Sequence, residues 1–189
     1  MEARAPIAAN AFRGRALDPD AGLVAAARQD PQAFLALYDR YFERVLGYVR
    51  LRTSDASTCE DVTSTVFTTA LEKLPRFRGD GTFAGWLFQI ARNAVHDVHR
   101  RRVATQLPDE QVGSEPDLEE RFLAHERAAH LRAQIRLLTA EEQHLLALRY
   151  GAGLAFDEIG ELLGAAPGTV RVRLHRTLEH LRRRFPHDD

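Results

Sequence analysis

Cysteine is almost missing from this chain. Its 189 residues include one, Cys59, which excludes an intrachain disulfide and any multi-cysteine zinc cluster. Long hydrophobic runs are missing too. No stretch of 18 uncharged apolar residues occurs, so no membrane-spanning helix is expected. The first 20 residues carry Arg4, Arg13, Arg15, Asp18 and Asp20 and no apolar core, so no secretory signal is expected, and the expected location is cytoplasmic. There is no P-loop, no GxSxG and no Gly-rich dinucleotide turn. No alternating strand pattern appears. An excess of one charge is also absent: 26 Lys/Arg stand against 27 Asp/Glu.

A balanced total hides an uneven distribution. Residues 1–102 hold 15 bases and 12 acids. Residues 103–120 hold no base and six acids, Asp109, Glu110, Glu115, Asp117, Glu119 and Glu120, together with Pro108, Gly113, Ser114 and Pro116. Residues 121–189 are basic again, with 11 bases to 9 acids. The acidic, breaker-rich stretch reads as a linker between two domains. The bases cluster at Arg100–Arg102 and from Arg171 to Arg184.

Within the flanking blocks the helical period dominates. Asp30–Pro31 is a start signal, followed by Phe34, Leu37, Tyr38, Tyr41, Val45 and Val49 on one stripe. Ser57 and Glu60 are spaced as a capping box ahead of Val62, Val66, Ala70 and Leu74, and Pro75 closes that helix. Arg76–Thr82 reads as a loop. A third helix carries Phe83, Leu87, Ile90, Ala94 and Val98 and ends in the arginine triplet. Beyond the linker, Leu118–Leu138 reads as helical, Thr139 and Glu142 form another capping box, and two helices close the chain at about Phe156–Leu163 and Pro167–Phe185. The fold class expected is all-α: two small helical domains joined by an acidic flexible linker. Their bounds are 23–102 and 121–185, with 103–120 between them and residues 1–22 as a mobile tail.

The last helix pair carries the sharpest motif. Gly160 permits close approach, Gly164 suits a left-handed turn, and Pro167 begins a helix without losing a hydrogen bond. Val170, Leu174, Leu178 and Leu181 form its inner stripe. This is helix-turn-helix spacing, whose second helix presents its N-terminal part to the major groove. Thr169, Arg171, Val172, His175 and Arg176 fall on the outer positions, where arginine can pair bidentately with guanine. Arg182, Arg183 and Arg184 suit phosphates. A plain helical hairpin with a solvated basic face is the alternative.

In the first block, Phe77, Phe83, Trp86 and Phe88 interleave with Arg76, Arg78 and Arg92. Rings and arginines together suit single-stranded nucleic acid; rings at helical spacing are more often core, and core is the better reading for Phe83 and Trp86. Asn93, Asp97 and Arg100 share a face and form either a surface array or a DNA contact. His96 and His99 lack a third ligand at metal-site spacing. Acids beside Cys59 raise its pKa and disfavour a reactive thiolate. Neither a catalytic centre nor a cofactor is called for.

These residues resemble the bacterial extracytoplasmic-function (ECF) sigma factors. Glu60–Phe67 is similar to the family's polymerase-binding helix. Phe77-Arg78-Gly79, Phe83, Trp86-Leu87, Ile90–Asn93, Asp97 and Arg100-Arg101 resemble its promoter-melting, minus-ten-reading segment. Glu158-Ile159, Leu162–Gly164 and Gly168–Arg176 resemble its minus-thirty-five helix-turn-helix. The resemblance spans about residues 30–102 and 121–184. It implies a non-catalytic subunit that directs core RNA polymerase to promoters. Asp61, Ser64 and Thr65 would meet the β′ clamp helices. Arg76, Phe77, Arg78, Trp86, Asn93, Asp97 and Arg100 would handle the minus-ten element. The second domain would meet the β-flap and the minus-thirty-five element, and a separate anti-sigma protein would be a partner. Thr65 stands where members often carry an acid, and Val172 where Ser is frequent. A stand-alone helix-turn-helix regulator and an enzyme acting on nucleic acid are the competing readings.

Overall fold

The computed structural model describes residues 18–53, 55–105 and 130–184, with the backbone alone for 102–105. Among these residues there is no strand. The order is α1 (Ala21–Gln29), a 3-10 turn (Pro31–Ala33), α2 (Phe34–Arg50), α3 (Ala56–Lys73), a 3-10 turn (Leu74–Arg76), α4 (Phe83–Thr105), α5 (residues 130–136), α6 (Ala140–Leu146), a π turn (Ala147–Gly151), α7 (Phe156–Leu163) and α8 (Pro167–Arg182). They make two helical bundles, one from α1–α4 and one from α5–α8. Residues 1–17 and 106–129 lie outside the described residues. Most of the expected tail and linker therefore does too, as does the N-terminal part of the helix expected from Leu118.

Several starts and stops differ from the sequence reading, each for a local reason. Asp30 does cap, accepting from the Gln32 N–H at 2.9 Å, but it opens a 3-10 turn before α2. At α3 the cap is Asp55, not Ser57: its carboxylate accepts from the Thr58 N–H at 2.6 Å, so the helix begins ahead of the expected box. The α4 helix runs to Thr105, past the boundary set at residue 102. Its entry is capped from a distance, by the Asp18 carboxylate accepting from the Phe83 N–H at 2.9 Å, and locally by Thr82 Oγ1 accepting from Gly85.

That cap corrects the extent of the expected tail. Asp18–Gly22 are part of the first bundle, and α1 was absent from the sequence reading. Asp20 is fully buried and bonded to the Arg40 guanidinium and the Tyr41 hydroxyl. A buried carboxylate is tolerable when paired in this way. Burial, then Asp20 itself, pushes the Tyr41 phenol up.

The inner stripes of α2 and α3 are as spaced: Leu37, Tyr41, Val45 and Val49 are buried, and so are Val62, Val66, Ala70 and Leu74. In α4 the buried line is rotated. Phe83, Leu87, Phe88, Ala91 and Val95 form it, while Ile90, Ala94 and Val98 lie half-buried at its edge. Each fully buried residue of this kind contributes roughly 1.5–3 kcal/mol.

The two bundles are docked on one another and share a continuous core. The second bundle's π turn lies against α2 and its α7 against α4. The Arg44 guanidinium donates to Glu158 at 3.0 Å and to the Ala152 carbonyl at 3.1 Å. The Tyr48 hydroxyl and His144 Nδ1 stand 2.8 Å apart. Arg52 reaches the Ala140 carbonyl at 3.3 Å. The expectation of two bundles holds; their packing face to face was not part of it.

Candidate nucleic-acid interface

The α7–α8 helix pair is assembled by backbone chemistry at its turn. Gly164 ends α7 at φ 64°, the left-handed region where glycine carries no steric cost. Gly160 is close-packed by the turn that follows it: a Cβ there would meet the Ala165 carbonyl oxygen at 2.6 Å. The Ala165 N–H donates to the Gly160 carbonyl at 2.9 Å. Pro167 opens α8. Glu158 fixes the other end of α7 by accepting from the Ala155 N–H at 2.7 Å, while Thr139 and Glu142 complete the expected capping box on α6.

With Val170, Leu174, Thr177 and Leu181 buried, the orientation of α8 is set. Thr169, Arg171, Val172, His175 and Arg176 are then all exposed on its outer side. Val172 is 51 % exposed, a large apolar side chain left in water amid cations. The Arg171 guanidinium lies over the Phe156 ring at 5.1 Å, which props it without a carboxylate. His175 has Glu179 4.0 Å away on its own helix.

The aromatic entry to α4 is built differently. Phe83 is fully buried, with the Tyr41 ring 5.5 Å away. Phe77 is 8 % exposed, with the Trp86 ring tilted against it at 5.0 Å and the Arg28 guanidinium 5.8 Å from its ring. Phe77 is therefore core in this state and offers no open face, contrary to its expected place among the DNA-facing residues. Trp86 is half-buried, and Arg76 and Arg78 are exposed. Farther along, Asn93, Asp97 and Arg100 are exposed on one side of α4. Gln89 donates to Asn93 at 3.0 Å, and Arg100 pairs with Asp97 at 2.9 Å.

On α3, Asp61, Ser64 and Thr65 are exposed, as the polarity of the helix requires. Ser64 borders an open cavity of about 390 Å³ between α2 and α3, with Tyr38, Phe42 and Phe67 among its walls beside Arg50, Glu60 and Thr63. Cys59 is buried behind this face. Its thiol is pushed up chiefly by burial, with the charge of Glu60 a lesser cause than the sequence reading assumed.

The titratable groups between the bundles are tuned by packing. Burial, then Arg92, Arg52 and His96, pull His144 down to about 3, so it is neutral at ordinary pH. Burial pushes Tyr48 up to about 12. His96 is also held down, by burial and then by Arg52 and Arg92. His99 Nε2 stands 2.9 Å from the Arg52 carbonyl. Among the described residues no group of three His, Cys, Asp or Glu is placed to hold a metal, and no described helix is long and apolar enough to cross a membrane.

The exposed basic face of α8 and the arginines around the entry to α4 give each bundle a surface suited to nucleic acid. Comparison makes the class specific. Residues 37–105 match the family described as Sigma-70 region 2, and residues 135–183 match Sigma-70 region 4. The chain belongs to the sigma-70 family, in its ECF branch, whose members direct RNA polymerase to promoters. It is 35% identical over 132 residues to the ECF RNA polymerase sigma factor ShbA of Streptomyces griseus, covering 65% of this chain and 69% of that one. It is 33% identical over 168 residues to the RNA polymerase sigma-H factor of Pseudomonas aeruginosa, covering 80% and 86%. Among solved structures it is similar to CnrH in complex with the cytosolic domain of CnrY, with a TM-score of 0.67, 23% identity, and coverage of 90% of this chain and 99% of that one.

The seam between the bundles was missed by sequence reasoning. One signal for it was present. Gly47 sits mid-helix, where glycine is about 1 kcal/mol worse than alanine and calls for a packing reason.

Proposed function

We propose that the two bundles divide promoter recognition between them. The first, bounded at 23–102 in the sequence reading, docks on the β′ clamp helices of core polymerase through Asp61, Ser64 and Thr65. It captures the opened minus-ten strand with Arg76, Arg78, Trp86 and Asn93. Phe77 backs Trp86, and Asp97 and Arg100 flank the strand. The second, 121–185, meets the β-flap and reads the minus-thirty-five element through Thr169, Arg171, Val172, His175 and Arg176. The acidic segment 103–120 joins them, and the work is done in the cytoplasm beside the polymerase. A separate anti-sigma protein is the expected controller. A relative in fold has been captured with such a partner, RpoE of Bartonella quintana with the anti-sigma factor NepR, at TM-score 0.60 and 18% identity, covering 84% of this chain and 99% of that one.

The observation that most supports this reading is the outer face of α8, basic and free of acids from Thr169 to Arg176 and solvent-exposed at every predicted position. Modest basic faces suffice if polymerase supplies most of the nonspecific affinity and the linked readers gain avidity together. Run-off transcription with purified core polymerase tests it. A promoter-dependent transcript should require this chain, with permanganate-reactive thymines appearing at minus ten. Operator binding without any polymerase-dependent transcript would instead identify a stand-alone regulator.

A further inference from the structure

One ring in the second bundle holds two cations. Phe156 opens α7, half-buried and packed against the core. The Arg149 guanidinium lies over its ring at 4.8 Å and the Arg171 guanidinium at 5.1 Å. Arg149 is anchored: its Nη1 donates to the carbonyl of the fully buried Leu154 at 2.8 Å. Arg171 is exposed on α8. The positions three and four residues from it on that helix are Gly168, Leu174, Pro167 and His175, none of them an acid. Acids elsewhere on the two helices are engaged by other groups. Glu158 accepts from Arg44 and from the Ala155 N–H, and Glu179 faces His175. Among the described residues, the Phe156 ring is what holds Arg171 in place. The contact crosses the turn at Gly164, so it ties a side chain of α8 to α7.

What holds an arginine decides what it can still bind. A carboxylate would occupy the forked N–H donors and neutralise the charge, and that pair would have to break before a base edge could be met. A ring does neither. It attracts the cation through the negative potential of its face and leaves the donors open. It also narrows where a long, freely rotating side chain stands, and order present before binding is order that binding does not have to supply. Two like charges gathered on one ring repel, and an incoming phosphate backbone relieves that repulsion.

We infer, on the basis of the minus-thirty-five reading proposed above, that Phe156 is a positioning residue: its ring holds the Arg171 guanidinium ready for one base of that element and sets specificity through it. Phe156 is not among the residues assigned to the DNA face, and its effect is confined to the base that Arg171 reads.

The test uses the full chain bound to core polymerase, on a promoter it transcribes, with each minus-thirty-five base pair varied in turn. Arg171→Ala first locates the position at which discrimination relaxes. Phe156→Leu keeps an apolar side chain and removes the π face. It should lower discrimination at that same position by about two- to fivefold, the equivalent of a cation–π contact at an exposed site, with little change at the others. Phe156→Tyr should restore it. In the double variant, Phe156→Leu should add nothing to Arg171→Ala. Phenylalanines of increasing fluorine content at position 156 keep the ring's shape while draining charge from its face. Discrimination should fall stepwise along that series with thermal stability unchanged, which decides the matter even if Phe156→Leu folds poorly. An equal loss at every position would overturn the positioning role, as would a loss additive with Arg171→Ala or a fluorinated series that discriminates like wild type. A gain in discrimination would overturn it too, because the ring would then be withholding the arginine. If Arg171→Ala relaxes no position, the reading of the element by Arg171 falls and the role of Phe156 with it. If Arg171→Ala relaxes one position and Phe156→Leu leaves it intact, the role of Phe156 alone falls.

Discussion

The two candidate DNA faces are built in opposite ways. On α8 every predicted reader points into water, because Val170, Leu174, Thr177 and Leu181 hold the inner side. At the entry to α4, the rings fold back on themselves: Phe83 is core, Phe77 is nearly so, and of these three only Trp86 is partly exposed. Ring spacing favours core for Phe83 and Trp86 but does not exclude a stacking platform, since both put aromatics on one stripe. On α8 charge makes the outward face legible, because clustered arginines are rarely buried.

The largest expected effect tests the buried side of that contrast. Phe83→Ala should cost about 3–5 kcal/mol of stability, read from a denaturant midpoint, as a large ring leaving a filled core does. A stable Phe83→Ala chain that had lost only single-strand binding would return this ring to the DNA face. On the exposed side, Arg171→Ala should leave stability within about 0.5 kcal/mol. It should remove about 1–3 kcal/mol of base discrimination at one minus-thirty-five position, measured by competition between duplexes. A uniform loss across all sequences would reassign Arg171 to a phosphate.

Much of this was legible in sequence. The stripes of α2 and α3, the capping box at Thr139, the turn at Gly164 and the outer face of α8 all follow from spacing within a few turns of helix. What was not legible acts at long range. Asp18 caps a helix that begins at Phe83. Asp20 turns inward to Arg40 and Tyr41, leaving the short, alanine-rich α1 no side-chain cap to announce it. The seam joins Arg44 to Glu158 and Gly47 to Gly151, pairs that no local period encodes.

A smaller effect sharpens the view of the seam, where the first bundle tunes a residue of the second. His144 is held near 3 by burial and by Arg92, Arg52 and His96, all from α2–α4 and their connection, with Tyr48 at its ring nitrogen. Its folded value lies below the ordinary 6.5. Its contribution is therefore fully present above pH 6.5 and is lost as pH falls toward 3, because the unfolded chain takes a proton that the folded chain refuses. Moving from pH 7.5 to 5.5 should cost about 1.4 kcal/mol, one unit below the unfolded value. His96, held down in the same direction, adds to the loss. Urea midpoints at the two pH values measure it, and His144→Gln should flatten the dependence. An equally steep loss in His144→Gln would place the sensitivity elsewhere.

The smallest stability effect carries the sharpest functional contrast. Asn93, Asp97 and Arg100 line the exposed side of α4, and the structure gives them partners: Gln89 on Asn93, and Arg100 on Asp97. Solvent screens an exposed pair three residues apart on a helix, and its removal moves stability by no more than about 0.5 kcal/mol. Asp97→Ala and Asn93→Ala should therefore melt like wild type. If this face meets the opened strand, Asn93→Ala should still lose transcription from linear duplex and recover part of it on a template carrying a pre-melted bubble. Arg171→Ala should show the reverse pattern, weak at capture and rescued by stronger minus-ten contacts. Permanganate reactivity at minus ten separates the two. An Asn93→Ala chain that opens duplex as well as wild type would mean that Asn93 only decorates the helix. The first bundle's DNA face would then shrink to Trp86 and the arginines of the loop before it.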